Sequence, residues 1–96
     1  MNTEETLTLP SAAGRIPVEE QLDRVMRPLL QLTAASPSPA VREAGVQTLT
    51  ALLALPAARL ALHRADVMRC LDAALDDPKR HVRRAAVTCR QAWSVV

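Results

Sequence analysis

One short pattern is written twice in this chain. Pro37 and Pro78, the pairs Val41-Arg42 and Val82-Arg83, Ala44 and Ala85, Val46 and Val87, and Leu52 and Trp93 all stand 41 residues apart. A repeat of ~40–47 residues has room for two helices and their connections, and too little for a domain with its own core. Each unit must therefore bury its apolar face against the next, which restricts the chain to a stacked helical array.

Composition agrees with helices. The 96 residues are 49% hydrophobic but 1% aromatic, with Trp93 the only ring of any size, so Leu and Ala supply most of the apolar surface. Both are strong helix formers, and two glycines are too few for a strand-rich chain with many tight turns. No window reaches the ~18 uninterrupted apolar residues that a membrane span requires. Met1 is followed by Glu4 and Glu5 rather than by an apolar run, so nothing there reads as a secretory signal. Cys70 and Cys89 are too few and too far apart for a disulfide framework, and a reduced, intracellular, soluble protein is expected.

The helices can be placed from period and punctuation. Residues 1–16 show no helical period and contain Pro10, Ser11 and Gly14, and are expected to be a flexible lead-in. Leu22, Val25, Met26, Leu29 and Leu30 form an apolar stripe on a first helix that Pro28 should kink. Ser38 is a candidate N-cap with Pro39 at the first position of a second helix. That helix should reach Leu55 and turn Val41, Ala44, Gly45, Leu49, Leu52 and Leu53 inward. Ala57 to Leu62 reads as a short helical turn, and Arg64 to Leu75 as a third helix burying Val67, Leu71, Ala74 and Leu75. Asp77 is expected to cap a fourth helix with Pro78 in first position, burying Val82, Ala85, Ala86, Cys89 and Trp93 and facing arginines outward. The two units are residues 17–55 and 56–96, the second a candidate C-terminal cap of a longer array.

The internal spacing resembles the HEAT repeat. That family tends to place a proline thirteen residues before a Val-Arg pair and an acid six residues before the arginine, as Pro28 and Val41, and Asp77 and Arg83, stand here. Unit one has Ser36 where the acid is expected, and unit two has Arg69 where the proline is expected. The implied fold class is all-α, two HEAT-like helical hairpins of an α-solenoid of the ARM/HEAT superhelix kind.

A narrower resemblance lies at the end of the chain. Leu75-Asp76-Asp77-Pro78-Lys79-Arg80, then Val82-Arg83-Arg84, Ala86-Val87, Arg90 and Trp93, looks like the extreme C-terminus of the MMS-nineteen family, with His81 and Cys89 as departures. The resemblance implies a cytoplasmic and nuclear scaffold of cytosolic iron–sulfur targeting. Such a scaffold helps deliver clusters to apoproteins of DNA replication, repair and transcription. Its protein partners, components of the iron–sulfur assembly machinery, would dock on the C-terminal repeats.

Charge suggests where. From Met1 to Asp23 there are five acids against Arg15 alone, whereas from Pro78 to Val96 there are five bases and no acid. Lys79, Arg80, Arg83, Arg84 and Arg90 form a basic ridge suited to carboxylates on an acidic partner, or a merely solvated face with Arg83 bonded back to the Asp77 turn. Trp93 is a candidate partner anchor or a core residue packed one turn from Cys89. The same arginines could meet nucleic acid, although stacking aromatics are lacking, or the segment could only complete the solenoid. Cys70, Cys89, His63 and His81 have no metal-ligand spacing, and neither a cofactor nor a catalytic motif is expected.

Overall fold

The computed structural model describes residues 18–96, with side chains from Glu20 onward. The expected lead-in over residues 1–16 lies outside the described residues. Five α-helices are present among the described residues: α1 (Val18–Ala35), α2 (Pro39–Ala51), α3 (Ala57–Leu60), α4 (Arg64–Ala74) and α5 (Arg80–Trp93). Two 3-10 turns, Leu52–Ala54 and Ala61–His63, flank the short α3. The protein is all-α: α1 pairs with α2 and α4 with α5, while α1 packs on α4 and α2 packs most extensively on α5. First helices thus lie together in one layer and second helices in another.

Local chemistry explains the boundaries. Ser38 caps α2 by accepting from the Val41 amide at 3.3 Å, and Pro39 occupies the first turn, where its missing N–H costs no intrahelical bond. Pro28 lies inside α1, which continues through it to Ala35. The start of α5 differs from expectation. Its first residue is Arg80 rather than Pro78, and its N-cap Lys79 makes no side-chain cap bond. Asp77 stands outside the helix because its carboxylate is taken up by the Lys79 amide, at 2.9 Å, and by Arg42.

The core is one cluster shared by both units: Leu22 and Met26 of α1, Val46 and Leu49 of α2, Leu60, then Val67, Leu71 and Ala74 of α4, and Ala86, Cys89 and Trp93 of α5. Several side chains expected to be inward are not. Val25 is 51% exposed, and Val41 and Ala44 also face solvent. The buried face of α2 is rotated toward Gly45, Val46 and Leu49 because α2 is covered by α1 on one side and α5 on the other. Gly45 permits the first of these contacts: a Cβ there would stand 2.0 Å from the Thr33 hydroxyl oxygen. Thr33 is itself fully buried and returns its hydroxyl to the Leu29 carbonyl at 2.7 Å.

Candidate functional site

The turn before α5 gathers charged contacts from both units. Arg42, on α2, donates from Nε to Asp77 Oδ2 at 2.7 Å and from Nη2 to Oδ1 at 3.1 Å, while its Nη1 donates to the Ser36 carbonyl at 2.8 Å. This planar fork clamps the two units together across 35 residues of chain. The Arg42 hydrogen bonds hold the Asp77 carboxyl below the usual carboxylate range, helped by the Lys79 amide and the positive charges of Arg42 and His81, although burial pushes the other way. Arg83 repeats part of the pattern: its Nη1 donates to the Asp77 carbonyl at 2.7 Å, the counterpart of Arg42 on Ser36. Only the local half of this clamp is written in the spacing. Arg42 and Arg83 each reach back six residues, so Asp77 holds in unit two the place of Ser36, and its carboxylate can extend to the arginine of the preceding unit.

The five bases of the ridge separate into two groups. Arg90 donates from Nε to Asp72 of α4 at 2.5 Å, and Arg83 is bound to the Asp77 turn. Lys79, Arg80 and Arg84 are exposed, and their side chains have no partner among the described residues. These three form a patch of exposed positive charge at the start of α5.

Trp93 stands elsewhere. It is fully buried, and its indole Nε1 donates at 2.9 Å to the carbonyl of Leu49, one of the last four carbonyls of α2, for which the helix itself offers no donor. Burial removes Trp93 from the surface, so as a partner anchor it is corrected to a core residue that ties α5 to α2. Arg64 makes a related bond at the other side of α5, donating to the Ser94 carbonyl at 3.1 Å.

The thiols and imidazoles are dispersed. Cys70 and Cys89 are both buried; burial pushes the Cys70 thiol up to about 11, and Cys89 is raised by the same cause. Cys70 donates to the Leu30 carbonyl at 3.8 Å, as a protonated thiol does and a metal-bound thiolate does not. His63 meets Asp23 across the two units at 2.8 Å, and His81 lies 3.9 Å from Glu43. Among the described residues no three His, Cys, Asp or Glu side chains group as a metal site. A cleft of 360 Å³ beside His63 is lined by Met26, Arg27, Leu30, Gln31 and Asp66, with no hydroxyl or thiol among them. No described helix is long and apolar enough to cross a membrane.

Residues 39–89, which hold the clamp and most of the core, match the family model of the HEAT-like repeat. The chain belongs to that family. It is 37% identical over 89 residues to the MMS19 nucleotide excision repair protein homolog of Arabidopsis thaliana, covering 93% of this chain and 8% of that protein. It is 43% identical over 72 residues to the homolog of Bos taurus, covering 75% of this chain and 7% of the relative. Against the MMS19 nucleotide excision repair protein of Drosophila melanogaster it is 48% identical over 56 residues, 58% of this chain and 6% of that protein. The chain spans less than a tenth of these relatives. The resemblance to the MMS-nineteen family thus extends over most of this HEAT-like segment, well beyond the motif at its end.

Proposed function

We propose that the chain is a non-catalytic, protein-docking segment of a HEAT scaffold, and that the scaffold serves cytosolic iron–sulfur cluster targeting in cytoplasm and nucleus, toward apoproteins of replication, repair and transcription. The observation that carries the docking reading is the exposed cation patch of Lys79, Arg80 and Arg84, which has no partner among the described residues, in a chain whose other ridge arginines are held internally. Unpaired cations beside a rigid helix attract an acidic surface and orient it before contact. The non-catalytic reading is supported by protonated buried thiols and by a carboxylate, Asp77, that is already bound by an arginine. The iron–sulfur assignment rests on the MMS-nineteen resemblance.

The test is capture of cytosolic iron–sulfur assembly proteins by the tagged full chain, with the triple variant Lys79→Glu, Arg80→Glu and Arg84→Glu as comparison. These positions leave the internal clamp intact, so helicity should survive while capture falls at least tenfold. Undiminished capture by the folded variant would remove the patch as the docking site. A complex with duplex or single-stranded DNA at low salt, weakening steeply as salt rises, would instead favour nucleic-acid binding.

A further inference from the structure

Among the described residues, the repeat contains a template for a contact that is made on α2 and left open on α5. On α2, the stripe Arg42, Val46 and Leu49 is the one α5 covers. Arg42 grips Asp77, and the Leu49 carbonyl accepts from Trp93. Val46 and Leu49 are both 0% exposed. Forty-one residues on, the corresponding stripe of α5 reads Arg83, Val87 and Arg90. There Val87 is 46% exposed. Arg83 uses Nη1 on the Asp77 carbonyl, as Arg42 uses Nη1 on that of Ser36. Its Nε and Nη2, the two atoms with which Arg42 holds a carboxylate, have no partner among the described residues.

We propose that this face of α5 docks a helical hairpin of a partner protein whose turn carries an aspartate or glutamate. The carboxylate enters the Arg83 fork through two parallel N–H···O bonds, and an apolar side chain from the following helix covers Val87. The inference rests on the docking reading above and moves its anchoring contact from the free cations to Arg83; Lys79, Arg80 and Arg84 lie beside it and attract the same acidic partner. Charge favours this occupant, since the last nineteen residues carry five bases and no acid. A second copy of the chain fits less well. Its first unit presents Ser36 where the carboxylate is needed, and its Asp77 is already bound to its own Arg42. A phosphate could reach the fork but leaves Val87 uncovered.

The test supplies the missing carboxylate on a hairpin of known geometry. The probe is a second molecule of the full chain carrying Ser36→Asp, which places an acid at the position of Asp77, and Arg83→Gln, which disables its own α5 face and prevents chains from growing. Titrated into the wild-type chain and followed by calorimetry and sedimentation velocity, it should form a one-to-one complex. Affinity should fall at least tenfold when the host carries Arg83→Gln or Arg83→Lys, the latter keeping the charge but losing the fork. It should also fall when the probe retains Ser36, and change little with host Arg84→Gln; circular dichroism confirms that each chain remains helical. Absence of a complex with the wild-type host, or equal affinity for the Arg83→Gln host, overturns the proposal. Neither outcome depends on capture of an assembly protein, so failure of this contact is distinguishable from failure of the docking reading.

Discussion

Val46 and Val87 occupy the same place in the repeat, yet one is sealed in the core and the other is nearly half exposed. Arg42 and Arg83 differ in the same way: both bind the carbonyl six residues behind them, and only Arg42 also holds a carboxylate. The difference lies in the neighbours. Unit one is followed by a unit that covers it, whereas the described residues place nothing over the outer stripe of α5. In an array of this kind, equivalent residues have equivalent local structure, but their energetic roles depend on what is stacked against them.

The sharpest way to break the comparison is at Leu52 and Trp93. Trp93→Ala removes the largest buried side chain and its bond to Leu49, and should cost about 3–5 kcal/mol, enough to unfold a domain of this size. Leu52→Ala, at the matching but half-buried position, should leave a cooperative transition with a lowered midpoint. Urea denaturation followed by circular dichroism distinguishes them; equal losses would mean that the two positions are equivalent in packing as well as in sequence.

A second comparison concerns Gly45 and its counterpart Ala86, both fully buried or nearly so. Alanine is accommodated on α5 but would collide with Thr33 on α2, so Gly45→Ala should destabilise by about 1–3 kcal/mol despite the better helix propensity of alanine. Adding Thr33→Ala removes the closest clashing atom and should recover part of the loss. A stabilised Gly45→Ala chain would show that α1 and α2 can separate without consequence.

The smallest effect is a pH signature confined to one side of the clamp. The folded Asp77 carboxyl lies below its unfolded value of about 3.9, so the bridge to Arg42 contributes fully above that pH and is lost as pH falls through the folded value. Asp77→Asn should therefore lower the melting temperature by several degrees at pH 7, with the gap to wild type closing under acid. A gap independent of pH would assign the loss to packing of the turn and not to the charge.

Much of the architecture is legible along the chain because it is local. The period, the Ser38 cap, the Val82–Trp93 stripe and the return of Arg83 to the Asp77 turn all involve residues within a few turns of each other, where helix geometry fixes who meets whom. The site was legible only in part. Net charge located the ridge and spacing the return of Arg83, but not the pairing of Arg90, which separates it from the exposed Lys79, Arg80 and Arg84 and depends on Asp72 arriving from α4.

Sequence by itself determined that this protein is a pair of helical hairpins and that its basic charge gathers on the last helix. The tertiary structure alone decided that Trp93 bonds the Leu49 carbonyl, that Asp77 reaches Arg42 of the other unit instead of capping a helix, and that α2 turns Val41 and Ala44 to solvent. The physical reason is one of range. Period and propensity act within a helix, whereas desolvation and the planar fork of an arginine act between elements, so burial and pairing are set only when the second unit closes on the first.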